Sequence, residues 1–226
     1  MRLERPILCL VTDRRRLTGG DGTFETGRVR LAQLARDAVD AAIDLIQVRE
    51  RDLETARLVE LVSDLVEIAR GSTTRIIVND RVDVALACGA GGVHLRSDSI
   101  APASYVGSDL SRAAPDFLVG RSVHRLAEAV EHAPAVDYVI AGTMFPTVSK
   151  PGPDRLLGER GLREMAAAVR VPILAIGGVT VEQVPAIAAS GAAGIAGISL
   201  FLPSAVSMRT VAAAVRAQFD RVGTAS

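Results

Sequence analysis

Eight short apolar runs recur along the chain, and each is followed by a stretch of helical periodicity. The runs are Ile7–Thr12, Leu45–Arg49, Arg75–Asn79, Gly92–Leu95, Phe117–Gly120, Tyr138–Ala141, Ile173–Ile176 and Ile195–Ser199. Several are continuously apolar rather than alternating. That pattern suits strands buried on both faces, as in a parallel sheet covered by helices. Helical patterns occupy Val29–Ala42, Leu53–Ala69, Val82–Cys88, Leu126–His132, Gly161–Val169, Val181–Ser190 and Ser207–Val222. In the second of these, Leu58, Leu61, Val62 and Leu65 form one apolar stripe, and Glu54, Glu60, Asp64 and Glu67 turn mainly to water. Ala101–Ala114 is the poorest helix, since it holds Pro102 and Gly107 and Pro115 follows it. Eight βα units in 226 residues predict one domain over residues 1–226, a single (β/α)8 TIM barrel. An open doubly wound sheet is the alternative. No Gly-x-Gly-x-x-Gly follows the first strand, which weakens a dinucleotide-binding version.

The core must be aliphatic: 49% of residues are hydrophobic but only 3% are aromatic, and Trp is absent. Formal net charge is zero, and no basic block or aromatic-interleaved patch points to nucleic acid. Arg14-Arg15-Arg16 is too short to count and is placed in a loop. Cys9 and Cys88 lie in apolar segments and read as reduced core thiols. His94, His124 and His132 show no metal-ligand spacing. No run is long enough to span a bilayer, and Ile7–Val11 is too short for a signal peptide. The expectation is a soluble cytoplasmic protein, and a homo-oligomer is compatible with it. The polar, Gly-rich segment Arg14–Gly27 reads as a long first βα loop, either a mobile lid or a plain solvated loop.

Chemistry in such barrels sits at the C-terminal ends of the strands. Strand two ends in Gln47-Val48-Arg49-Glu50-Arg51. At a period of two, Gln47, Arg49 and Arg51 point one way, and Val48 and Glu50 the other. Gln and Arg turned inward must meet a polar ligand or one another, because a buried unpaired charge is costly. Asn79-Asp80 ends strand three, and His94-Leu95-Arg96-Ser97-Asp98-Ser99 ends strand four. Gly120-Arg121-Ser122 ends strand five. Strand six leads to Thr147, Ser149 and Lys150. Gly177-Gly178 follows strand seven, and Ile198-Ser199 closes strand eight. Lys150 is the one lysine among 26 basic residues. In a chain that otherwise uses arginine, a compact ammonium beside hydroxyls suits an anionic oxygen; a chance surface lysine is the plainer alternative. Glycines at strand seven with a small residue at strand eight match the barrel phosphate site. Together these groups suggest two anions in one site. One lies near strands seven and eight. The other lies near strands two, three and five, where Asp80 either holds a divalent ion or caps the next helix. His94 reads equally as a satisfied core imidazole, and His124 as the start of a helix; neither is assigned a catalytic proton.

These strand ends, in this order, resemble the thiamine phosphate synthase family, which also includes thiazole tautomerases. The resemblance covers nearly the whole chain. It is carried by Thr12-Asp13, Gln47-Val48-Arg49-Glu50, Asn79-Asp80-Arg81, Ala90-Gly91-Gly92-Val93-His94-Leu95, Gly120-Arg121-Ser122-Val123-His124, Phe145-Pro146-Thr147-Val148-Ser149-Lys150 and Ala175-Ile176-Gly177-Gly178-Val179-Thr180. It implies a transferase of thiamine biosynthesis. A hydroxymethylpyrimidine pyrophosphate loses pyrophosphate to give a pyrimidine-stabilised cation, which the nitrogen of a thiazole phosphate attacks. Protein groups then serve positioning and charge neutralisation rather than acid–base chemistry. The resemblance implies that Gln47, Arg49, Arg51 and Asn79 hold the pyrimidine pyrophosphate, with Ser122 and Lys150 facing the same substrate; Arg49, Ser122 and Lys150 are the catalytic candidates. It implies Thr147, Ser149, Gly178, Ile198 and Ser199 for the thiazole phosphate. Mg²⁺ is implied as cofactor, on Asp80.

Several positions depart from the family pattern. Arg51 stands where Lys is usual, Arg96-Ser97 where Gly-Gln is usual, and Cys9 where an aromatic is usual. Ser99 stands where the second Mg²⁺ carboxylate is expected; Asp98, one residue earlier, is the nearest replacement and completes the expected metal pair with Asp80. The departures crowd the pyrimidine and metal half. That keeps two alternatives in view: a thiazole tautomerase-like isomerase, whose usual proton-carrying His is replaced by Thr143, and a non-catalytic binder of thiamine precursors.

Overall fold

In a computed structural model describing residues 5–20, 22–99, 116–147 and 156–223, the eight apolar runs are strands of one closed parallel barrel in chain order. The strands are β1 Ile7–Val11, β2 Leu45–Val48, β3 Arg75–Asn79, β4 Gly92–Leu95, β5 Leu118–Val123, β6 Tyr138–Ala141, β7 Ile173–Ile176 and β8 Gly194–Gly197. Among the described residues the helices are α1 Arg14–Thr18, α2 Phe24–Asp40, α3 Thr55–Ala69, α4 Val82–Ala87, α5 Leu126–His132, α6 Gly158–Ala168, α7 Val184–Ala189 and α8 Met208–Gly223. No helix among them is long and apolar enough to cross a membrane. The barrel closes where Ile7 pairs with Gly194 and Leu10 with Gly197. The expected helix over Ala101–Ala114 lies outside the described residues.

Strand alternation splits the apolar residues into two cores. Ile7, Cys9, Val11, Leu45, Ile77, Leu118, Tyr138, Ile140, Leu174 and Ala196 fill the barrel interior. Their neighbours in sequence, such as Leu8, Leu10, Ile46, Val78 and Val93, pack against helical residues including Leu31, Leu61 and Leu162. Burial on both sides is why these strands read as unbroken apolar runs. Gly120 makes room inside: a Cβ there would lie 2.2 Å from Cζ of Tyr138. Cys9 is buried and Cys88 half-buried, and both are free thiols.

Three differences from the sequence expectation have a local reason. The Arg14–Gly27 segment is not one loop. The Asp13 side chain accepts the Arg16 N–H to start α1, and left-handed Gly19 ends it. Thr23 then accepts the Thr26 N–H and starts α2 five residues before Val29. β5 extends three residues past Gly120, because Arg121, Ser122 and Val123 keep pairing with Val139, Ile140 and Ala141. β8 stops at Gly197, and Ser199 opens a 3₁₀ turn over Ser199–Phe201.

Candidate active site

Above the interior core, the inward rows become polar. Leu45 is followed by Gln47 and then Arg49, Ile77 by Asn79, Gly92 by His94, and Gly120 by Ser122. Gln47 is buried and its Nε2 donates to Asn79 Oδ1 at 3.0 Å. One amide thereby orients the other, since O and N cannot exchange without losing the bond. Gln47 thus meets Asn79 rather than Arg49.

Among the described residues the Arg49 guanidinium has no hydrogen bond or ion pair; its backbone N–H is engaged, donating to Thr12 Oγ1 at 3.0 Å. Burial, and secondly the charge of Arg51, hold the Arg49 pKa below the usual guanidinium range. Its position is set from behind. Glu50 turns to the outer face and is buried, accepting from Thr12 Oγ1 at 2.7 Å and from the Arg14 backbone N–H at 3.1 Å. Arg14 Nη1 adds an ion pair to Glu50 at 3.2 Å. Burial raises the Glu50 pKa, and the bonds from Thr12 and Arg14 oppose the rise. Glu50 thus locks the first βα connection to the end of β2, a structural task that the sequence signals only by its parity.

His94 sits fully inside, and its Nε2 lies 2.9 Å from Ser122 Oγ. Its Nδ1 is buried without a partner, as is the hydroxyl of Tyr138, whose ring centroid is 5.6 Å from that of His94. Burial pushes the His94 pKa down to about 3, so the ring is neutral at physiological pH. The expectation of a satisfied core imidazole is therefore half met. The contact has the outline of a nucleophile–base pair, but among the described residues no third group meets Nδ1, and an imidazole this weakly basic cannot take a serine proton effectively.

Asp80 follows β3 in a left-handed conformation, with φ of 61°. It does not cap α4: the cap position is Arg81, and Ser99 Oγ donates to Asp80 Oδ1. Arg96 Nη1 is 3.8 Å from Asp80 Oδ2. Arg96 also grips Asp98 through two donors, Nε at 2.8 Å and Nη2. Asp98 is exposed, and Arg96 holds its pKa below the ordinary value. So Ser99 and Arg96, two of the departures noted above, both engage Asp80. Among the described residues, no group of three or more His, Cys, Asp or Glu side chains converges as a metal cage. Arg121 faces the outer layer and is buried; its Nη2 donates to the carbonyls of Ser97 at 3.0 Å and Ser99 at 2.8 Å, fixing this loop.

The other half of the mouth is built on backbone. Phe145 N–H donates to the Gly177 carbonyl, and Met144 N–H to the Ile176 carbonyl, both at 2.9 Å. This stitches the connection after β6 to the turn after β7. Gly178, at φ of 66°, lies so close that a Cβ would be 2.7 Å from the Pro146 carbonyl oxygen and 2.8 Å from that of Phe145. Only glycine allows that approach. Thr147 is half-buried at the end of the described part of this connection, and Ser149 and Lys150 lie outside the described residues. Ile198 is half-buried and Ser199 exposed beyond β8. Arg16 Nη1, from α1, donates to Ser199 Oγ at 2.9 Å. Nothing in the local sequence announces this contact, because the two residues lie 183 positions apart.

A profile of the family described as thiamine monophosphate synthase matches residues 8–201. A thiamine-phosphate synthase of Methanoregula boonei is 39% identical over 206 residues, 91% of each chain. One from Methanoculleus marisnigri is 38% identical over 206 residues, covering 91% of this chain and 93% of its own. Among solved structures, thiamine phosphate pyrophosphorylase from Pyrococcus furiosus superposes with a TM-score of 0.75 at 29% identity, covering 96% of each chain. A 3-hexulose-6-phosphate synthase shares the fold alone, with a TM-score of 0.62 at 19% identity.

Proposed function

The chain belongs to the thiamine monophosphate synthase family, and on that premise we propose that it joins a hydroxymethylpyrimidine pyrophosphate to a thiazole phosphate, releasing pyrophosphate and forming thiamine phosphate. The C–O bond to the leaving group breaks, the pyrimidine stabilises the resulting cation, and the thiazole nitrogen forms the new C–N bond. No proton need move. The observation that carries this reading is Arg49: a half-buried guanidinium with no hydrogen bond or ion pair among the described residues, kept beside Arg51 at an electrostatic cost. Such a cation is preorganised for charge that develops on a leaving group. Gln47 and Asn79 orient the pyrimidine substrate beside it, and Arg51 and Lys150 add charge to the pyrophosphate. With the His94 proton on Nε2, Ser122 keeps its own hydrogen free to donate to that substrate.

The thiazole phosphate occupies the cradle of Gly178, Ile198 and Ser199, with Thr147 beside it. Mg²⁺ commonly uses one or two carboxylates together with substrate phosphates. Asp80 fits as one such ligand: Ser99 takes one of its oxygens, and the other meets only the distant Nη1 of Arg96. Asp98, gripped by Arg96, joins it only if that pair opens. When bound, the ion would supply positive charge to the leaving pyrophosphate.

The tautomerase reading needs an acid or base at the ring; Thr143, where it would stand, is buried and carries no titratable proton. Purified protein supplied with both precursors, with and without Mg²⁺, tests the proposal. Thiamine phosphate and pyrophosphate should form in equal amounts. Interconversion of thiazole isomers without coupling, or binding without turnover, would refute it.

A further inference from the structure

The three consecutive arginines of α1 have divergent partners. Arg14 is spent on Glu50 and Asp52, and Arg15 Nε donates to Asp52 at 3.0 Å. Arg16 alone turns across the mouth. Its Nε pairs with Asp13 Oδ2 at 3.2 Å, and its backbone N–H donates to Asp13 Oδ1 at 3.1 Å. Asp13 thereby holds one edge of the guanidinium and leaves the Nη groups toward β8, where Nη1 meets Ser199. α1 itself is pinned, because Arg30 Nη1 donates to the Leu17 carbonyl at its last turn.

Among the described residues the cradle at β7 and β8 otherwise offers neutral donors: backbone N–H groups around Gly178 and the hydroxyls of Thr147 and Ser199. A phosphate monoester carries roughly −1.5 to −2 charge near neutrality. Neutral donors bind it less strongly than an ionised one, and a guanidinium can grip two of its oxygens at once. We propose that Arg16 is a phosphate-binding residue for the thiazole substrate, moving from Ser199 onto the phosphate when that substrate enters. Arg16 also lines an open cleft of ≈ 470 Å³ with Arg30, Gln33 and Leu202, which gives its side chain room to move. The proposal rests on the reading of β7 and β8 as the thiazole-phosphate cradle.

Arg16→Ala and Arg16→Lys test it by calorimetric binding of the thiazole phosphate and of the same thiazole without its phosphate, and by steady-state kinetics. Arg16→Ala should raise both Kd and KM for the thiazole phosphate by about tenfold or more, the loss of one charge-assisted bond. KM for the pyrimidine pyrophosphate should stay within about twofold. The unphosphorylated thiazole should bind the wild type and the variant alike, and Arg16→Lys should recover part of the loss. Equal weakening of both thiazoles, or of both substrates, would overturn the assignment, as would an unchanged KM for the thiazole phosphate. Coupling by the wild type with no effect of Arg16→Ala removes Arg16 alone. A wild-type protein that neither couples nor binds the thiazole phosphate removes the functional reading, and this assignment with it.

Discussion

Replacing Arg49 with Met is expected to stabilise the ligand-free protein and to cripple catalysis. The guanidinium is half-buried and pairs with no carboxylate among the described residues; burial and Arg51 oppose its charge, and outweigh the weaker support of Asp13 and Glu50. Two residues along an extended chain put the charges about 7 Å apart. Their repulsion is then ~0.6 kcal/mol in bulk water and ~2.4 kcal/mol at an effective dielectric of about 20. Arg51 is exposed, so solvent screening favours the lower part of that range, about 1 kcal/mol. Met keeps most of the apolar stem and removes the charge. For a chain of 226 residues, a gain of about 1 kcal/mol raises Tm by ~2–4 °C. Against this stands the lost leaving-group stabilisation. Each charge-assisted contact is worth ~1.5–3 kcal/mol, so kcat/KM should fall by about 10- to 150-fold. The assay pairs a thermal scan of the free protein with steady-state coupling kinetics. A Tm that drops together with activity would mean that Arg49 is structurally paired. An unchanged kcat/KM would mean that it does not meet the pyrophosphate. Either result refutes the reasoning.

Other outcomes follow from the same geometry. The folded-state pKa of His94 is about 3 against an ordinary 6.5, so between these values the unfolded chain binds more protons than the folded one. Its share of stability is therefore full above about pH 6.5 and is lost as pH falls; denaturation midpoints at pH 7.5 and 5 should diverge in the wild type and less so in His94→Gln. Gly178→Ala forces a side chain into left-handed backbone against two carbonyls, at a cost of at least ~1–2 kcal/mol. Its KM for the thiazole phosphate should rise more than about tenfold, and a normal KM would place the phosphate elsewhere. Arg96→Ala should free Asp98 and the second oxygen of Asp80. Mn²⁺ binding, followed by water relaxation, should then tighten and the Mg²⁺ needed for half-maximal rate should drop; weaker binding would count against Asp80 as the ligand.

The barrel was legible because its signal is redundant. Each of the eight strands carries its own continuous apolar run, and the doubled burial of a parallel sheet leaves few other ways to satisfy them. The residues of the candidate site were legible for a related reason. Strand parity carries Gln47, Asn79, His94 and Ser122 inward from the apolar positions beneath them, so the polar crown can be read from the end of each run. Parity also turned Glu50 outward, but it could not say that Thr12 and Arg14 would meet it there.

What the amino-acid order determined by itself, then, is whatever a repeating local pattern can encode: the strands, their inward faces and the glycines of the turn after β7. Only the closed barrel decided that Arg16 reaches Ser199, that Ser99 and Arg96 both fall on Asp80, and that Arg49 makes no ion pair among the described residues. Those contacts join side chains from different strand ends and loops, some of them far apart in the chain. Which cation finds which carboxylate is settled by distance across the mouth, a quantity that no local periodicity contains.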